Sequence, residues 1–123
     1  MPVVGGPCRE RLRANIDALA GILQLADQLR RTNPAKWGVT LGEWEAAVRS
    51  VLAAPVPHPD DPVSVAEGTR AARSAALRLG NSGEARLVSA GVGRHPDSSL
   101  AGARFDKDLD AARHRLAELQ ELV

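Results

Sequence analysis

Aromatic residues and cysteine are scarce in this chain. Its 123 residues include two tryptophans, one phenylalanine, no tyrosine and one cysteine. A core with so few rings must be built from Leu, Val, Ile and Ala, and this favours helices, because strands are enriched in β-branched and aromatic residues. Since Cys8 has no second cysteine to pair with, the sequence excludes an internal disulfide and a zinc site built on cysteines.

Long hydrophobic runs are also lacking. No apolar stretch approaches the roughly 20 residues that span a bilayer, and the first residues lack a basic segment followed by an apolar run. We therefore expect no membrane association and a cytoplasmic location. The formal net charge of +1 gives no overall attraction toward nucleic acid or membrane.

The apolar residues that are present recur at helical spacing. The length fits a single domain over residues 1–123. We predict an all-α bundle of about four helices, with long amphipathic helices at the N- and C-terminal ends. The first is expected from about Pro7 to Arg31 and the last from about Ser98 to Leu122, where one stripe runs from Phe105 to Val123.

Two neighbouring apolar stripes on the first helix cover close to half of its circumference. One begins at Cys8 and continues through Ala26, and the other runs from Ala18 to Leu29. So wide an arc needs more than one partner helix. We therefore expect this helix at the centre of the bundle or at a subunit interface.

Two shorter helices are expected between the long ones. Thr40 and Glu43 fit a capping box before the first of these, whose apolar face comprises Leu41, Trp44, Val48, Val51 and Leu52. Four prolines within residues 55–62 predict a stiff, extended connector. The next helix is expected from about Pro62 to Leu79, with its inward face formed by Val65, Thr69, Ala72, Ala76 and Leu79.

A strong stop signal follows that helix. Gly80-Asn81-Ser82-Gly83 is typical of a helix C-cap. Residues 84–92 are then compatible with a short helix or a strand, and the helix is favoured.

Two patterns invite a chemical interpretation that the residues around them do not favour. Asp106, Asp110 and His114 have the spacing of a metal site on one side of a helix, but they point away from the stripe of Phe105 and alternate with Lys107 and Arg113. This is typical of a solvated face with ion pairs. We predict no metal and no cofactor.

His-Pro-Asp occurs twice, at residues 58–60 and 95–97. The second copy lies between two expected helices and resembles the tripeptide of the J-domain family. That resemblance would imply stimulation of a chaperone partner. The residues themselves favour two turns, with Asp97 capping the last helix.

The wide arc of the first helix is the best candidate for an interface. Asn15 lies inside it and needs a hydrogen-bond partner if buried, as in a register-setting helix pair, whereas Arg11 and Asn15 could equally mark a partly exposed edge. Trp37 is either an exposed anchor for a partner or part of a cluster with Trp44. The candidate interface residues are Arg11, Asn15, Ile22, Leu25, Leu29 and Trp37.

Charge is distributed unevenly in the middle of the chain. Residues 41–69 contain one Arg and five acids, and residues 70–96 contain five Arg and one acid, so their net charges are −4 and +4. Such segments are most simply complementary neighbours in one fold. The alternative is an exposed basic patch of Arg70, Arg73, Arg78, Arg86 and Arg94.

No catalytic motif stands out, and the sequence leans away from an enzyme. We expect a non-enzymatic protein-interaction or regulatory domain, binding a protein partner or a second copy through the first helix. A small helical enzyme or ligand-binding bundle, with a pocket between helices, is the first alternative. The second is a nucleic-acid-binding regulator that uses the Arg70–Arg94 segment.

Overall fold

Four helices make up the regular structure of the described residues. The computed structural model describes the backbone of residues 6–31, 41–92 and 96–121, and the side chains of residues 7–28, 41–88 and 103–121. Within these ranges it contains α1 (Gly6–Arg31), α2 (Leu41–Ala53), α3 (Val63–Val92) and α4 (Pro96–Gln120), and no strand. The all-α fold with long first and last helices is confirmed. Because α4 already begins at Pro96, Asp97 lies inside its first turn and not at its cap.

The core forms where the apolar stripes of α1, α3 and α4 meet. The described members of the predicted stripes on α3 and α4 are buried or half-buried, and Thr69 satisfies its buried hydroxyl by donating to the carbonyl of Val65 in its own helix, at 2.9 Å. The fully buried side chains from these three helices include Leu12, Leu19, Ala26, Ala72, Leu79, Phe105 and Leu109.

The helix with the most extensive packing is α3, which contacts α1, α2 and α4. The sequence predicts α1 at the centre of the bundle or at a subunit interface, and α1 does contact the other three helices. The reason that α3 takes the larger share is its inward face of small residues, such as Ala72 and Ala76, which lets neighbouring helices approach closely.

The predicted stop at Gly80-Asn81-Ser82-Gly83 is wrong. The chain stays helical through these residues, and α3 continues to Val92, so residues 84–92 are helix and not strand. Two interior glycines cost a helix about 2 kcal/mol relative to alanine. Contacts with other helices must offset this cost, and both glycines lie directly beneath α2.

Trp44 of α2 packs on the backbone of α3 at this point. Its indole Nε1 donates to the carbonyl of Gly80 at 2.7 Å, and its side chain is fully buried. A Cβ at Gly83 would overlap the indole ring, lying 2.7 Å from Cη2 and closer still to Cζ2 and Cε2. A Cβ at Gly80 would lie 2.9 Å from Cγ2 of Val48. The missing side chains of Gly80 and Gly83 therefore make the close packing of α2 on α3 possible.

Only part of the apolar face predicted for α2 is buried. Trp44 and Val51 are buried and Val48 is half-buried, but Leu41 is 38% exposed and Leu52 is 55% exposed. The prediction that all five face inward is wrong because α2 lies on the outside of the bundle. Its core contact is the narrow strip centred on Trp44, whose ring meets Phe105 edge to face at 6.2 Å.

Among the described helices, none combines the length and the apolar character that crossing a membrane requires.

Candidate functional site

The segment that joins α2 to α3, residues 54–62, is poor in backbone donors. Four of its residues are prolines, which have no N–H group, so the carbonyls around them cannot be satisfied by a regular ladder of backbone bonds. We call this segment the connector. Side chains from α1 and α3 supply the missing donors.

Asn15 of α1 holds the beginning of the connector. Its side chain is 2% exposed, and Nδ2 donates to the carbonyl of Pro55 at 2.8 Å and to the carbonyl of Arg11 at 2.8 Å. The partly exposed edge that the sequence allowed is therefore wrong for Asn15. It sets the position of α1 relative to the connector, through a bond between residues 40 positions apart.

Arg11 of α1 holds the end of the connector. Its guanidinium forms an ion pair with Asp61, and Nε donates to Oδ2 at 3.3 Å. Asp61 also accepts from the backbone N–H of His58 at 2.9 Å, and its side chain is only 2% exposed. The hydrogen bonds from Arg11 and from the His58 amide lower the pKa of Asp61, and the bond to Asp61 raises the pKa of Arg11.

The first His-Pro-Asp copy is a turn, as the residues around it predicted. The carbonyl of His58 accepts from the N–H of Asp61 at 3.0 Å, and Nδ1 of His58 accepts from the N–H of Asp60 at 3.1 Å. In the second copy, His95 lies outside the described residues and Pro96 opens α4.

Arg73 of α3 joins the connector to the C-terminus of α2. Its Nη1 donates to the carbonyl of Val51 at 3.2 Å and to the carbonyl of Ala54 at 2.7 Å. These carbonyls belong to the last turn of α2 and the residue after it, and the carbonyl of Val51 also accepts from the backbone N–H of Ala54 at 3.2 Å. A cation there also complements the negative end of the helix dipole.

Side chains from α1 and α3 thus hold the connector in place, and large apolar side chains are exposed in and beside it. Leu52 is 55% exposed, Val56 is 62% exposed and Val63 is 73% exposed. All three lie within twelve residues of the chain, in and beside the connector. We call these three residues the connector edge. Sequence reasoning missed the connector edge, because it placed Leu52 in the core and treated residues 55–62 only as a spacer.

The interface residues predicted on α1 face the interior where they are described. Ile22 is buried in the core and Leu25 is half-buried against it, while Arg11 and Asn15 hold the connector. The side chain of Leu29 and the whole of Trp37 lie outside the described residues. An interface through α1 stays a prediction, and its described members have their contacts within the chain.

The five arginines of the predicted basic patch are not brought together as one free surface. Arg73 is engaged with α2, and the guanidinium of Arg86 lies over the ring of Phe105, 5.4 Å from its centroid. Arg70 and Arg78 are exposed, and Arg94 lies outside the described residues. The opposite charges of residues 41–69 and 70–96 meet differently from the simplest expectation, since Arg73 binds carbonyls of α2 and Asp61 pairs with α1.

The side of α4 that carries Asp106, Asp110 and His114 also contains an arginine that pairs with α1. Arg113, between Asp110 and His114, forms an ion pair with Asp27 of α1. Among the described residues, no group of three His, Cys, Asp or Glu side chains could hold a metal ion. Cys8 is half-buried and packs against the core.

Comparison with known proteins adds no relative. No family model matches the chain, and neither the curated proteins nor the solved structures give a match. The functional argument therefore depends on the geometry of the chain itself.

Proposed function

We propose that this chain is a non-enzymatic protein-interaction domain and that the connector edge is its contact surface. The observation that supports this is the exposure of Leu52, Val56 and Val63 next to a backbone that α1 and α3 hold in place. A group of exposed large apolar side chains is a feature of protein-binding surfaces, and these three lie within one twelve-residue stretch of the chain.

The fixed backbone favours binding for an energetic reason. Ordering a loop on association costs free energy, and a loop that is already ordered avoids that cost. Pro55, Pro59 and Pro62 are themselves exposed, and proline has little conformational entropy to lose. The bonds from Asn15, Arg11 and Arg73 thus prepare the connector edge for a partner.

The partner that fits this surface is a protein with a complementary apolar patch. The three defining side chains are apolar, and the carboxylate of Asp60 is exposed between Val56 and Val63, so the contact would depend mainly on burial of apolar area. The partner could be a second copy of this chain, which would make the contact a homodimer interface. We expect it to be a different protein.

Site-specific photo-cross-linking in cells tests the proposal. A photoreactive amino acid at Val56 is expected to give one discrete covalent adduct, and the adduct should diminish when Leu52→Ser is added. The matched control carries the same amino acid at Gln24, which is exposed on the polar side of α1. Equal adducts at both positions, or none at Val56, would refute the connector edge. The mass of the adduct separates a different protein from a second copy.

A further inference from the structure

An open groove of about 220 Å³ lies between α3 and α4. Residues spaced three and four apart on each helix line it over about two helical turns. Four alanines supply its apolar surface, and its polar groups come from Ser74, Arg78, Asp108 and Arg115. The groove is thus lined by polar and apolar surface in about equal shares.

The charges around the groove are unequally satisfied. Asp108 accepts a hydrogen bond from the hydroxyl of Ser82. Arg115 forms an ion pair with Glu118 at 3.3 Å, but both side chains are about half exposed, and such surface pairs are weak and readily exchanged. Arg78 makes no hydrogen bond or ion pair with another described residue. With Glu118 paired to Arg115 and Asp108 bonded to Ser82, Arg78 is the guanidinium of the lining that has no carboxylate partner among the described residues.

The size of the groove limits what can occupy it. A cavity of about 150 Å³ holds benzene, whereas pockets for drug-sized ligands begin near 300 Å³. The groove, at about 220 Å³, therefore fits a compact body of roughly ten non-hydrogen atoms. Guanidinium groups select planar or tetrahedral oxyanions, because they donate two parallel N–H bonds to carboxylate or phosphate oxygens.

We propose that the α3–α4 groove binds a small organic oxyanion, that is, a carboxylate or phosphate carried on a compact apolar body. Arg78 binds the oxyanion, and the alanines contact the body. Because α3 and α4 run antiparallel, as the contact of Ser82 with Asp108 indicates, Arg78 and Arg115 lie at opposite ends of the groove, about 10 Å apart along the helices, and Arg115 keeps its pair with Glu118. This site is independent of the connector edge and does not rest on the proposed interaction function.

Titration followed by NMR tests the site with defined probes. Benzoate and phenyl phosphate share the ring and differ in the anion, and inorganic phosphate lacks the apolar body. Saturable shifts are expected at the backbone amides of the groove for one or both aromatic probes, with weaker binding of inorganic phosphate. Sodium chloride at matched ionic strength should not reproduce them. Which aromatic probe binds more tightly identifies the class of anion.

Three variants make the result decisive. Arg78→Gln is expected to weaken binding about tenfold or more, the effect of losing a charge-assisted hydrogen-bond donor. Arg70→Gln removes the same charge from an exposed position of α3 outside the groove and should leave binding unchanged. Ala111→Leu, at an exposed lining position, should block the ring without touching the core. Shifts that do not saturate, or equal weakening by Arg70→Gln and Arg78→Gln, would overturn the proposal.

Discussion

Gly83→Ala is the change that the packing of α2 on α3 makes most costly for its size. Alanine at this position gains about 1 kcal/mol of helix propensity. Its Cβ, however, would lie 2.7 Å from Cη2 of Trp44 and closer to two other ring atoms, whereas favourable carbon contacts are about 3.5–4.0 Å long. The ring must therefore move by about 1 Å or more.

Trp44 has little room to make that movement. Its side chain is fully buried, its Nε1 is bonded to the carbonyl of Gly80, and Phe105 meets its ring edge to face. Overpacking costs about 1–3 kcal/mol and occasionally more, and loss of the indole bond adds about 1 kcal/mol. After the gain in propensity is subtracted, we expect Gly83→Ala to lower the free energy of unfolding by roughly 1–3 kcal/mol.

Urea unfolding followed by circular dichroism measures this change, with Gly21→Ala as the matched control. Gly21 is exposed in the middle of α1, and a Cβ there meets nothing within 4 Å. Gly21→Ala should therefore stabilise the protein by about 0.4–1 kcal/mol. Trp44→Phe removes the far edge of the indole, so Gly83→Ala should cost much less in that background. If Gly83→Ala stabilises the protein as Gly21→Ala does, the close packing of Trp44 on Gly83 is refuted.

Three further predictions concern the side chains that hold the connector. Asn15→Ala should lower the free energy of unfolding by about 1–3 kcal/mol because the carbonyl of Pro55 loses its donor. Asn15→Asp should lower it further because it buries a charge that faces two carbonyls. Equal losses of the two variants in urea unfolding would contradict this. The lowered pKa of Asp61 means that its pair with Arg11 stabilises the fold above the ordinary pKa of about 4 and fades as pH falls toward the folded value. The thermal midpoint of Asp61→Asn should therefore fall less between about pH 6 and about pH 3 than that of the natural protein, and parallel curves would refute the pair. Arg73→Gln should lower the free energy of unfolding by about 1–2 kcal/mol because the carbonyls at the end of α2 lose their donor. Arg73→Lys should have an intermediate effect. In Arg73→Gln, the rate of amide hydrogen exchange should rise first in the last turn of α2.

The long helices could be predicted from the sequence because their apolar spacing directly encodes a buried face. The stripe from Phe105 on α4 and the stripe from Val65 on α3 are buried or half-buried wherever they are described. Spacing does not reveal which buried faces receive more than one neighbour. For that reason the spacing predicts α1 at the centre of the bundle or at a subunit interface, whereas α3 has the most extensive contacts with the other helices.

The Gly80–Gly83 segment could not be interpreted from local propensity. Glycine and asparagine ordinarily end helices because they accept backbone conformations that other residues avoid. Here the same glycines are selected for lacking a side chain, and the ring that requires this space belongs to Trp44, which lies 36 positions before Gly80. Nothing in residues 80–83 indicates that contact. Only the tertiary structure therefore distinguishes a helix end from a packing site for Trp44.

The contact between α1 and the connector could have been predicted from the sequence. A run of prolines leaves carbonyls without backbone donors, so some other part of the chain must supply side-chain donors. The polar residues that interrupt an apolar arc are the natural source, and on α1 these are Arg11 and Asn15. Taken without the connector, Asn15 predicts a register-setting helix pair, or Arg11 and Asn15 together predict a partly exposed edge. Taken together, a buried Asn and a proline-rich connector 40 positions apart predict each other. This pairing fixes the backbone of the connector, on which Val56 is exposed.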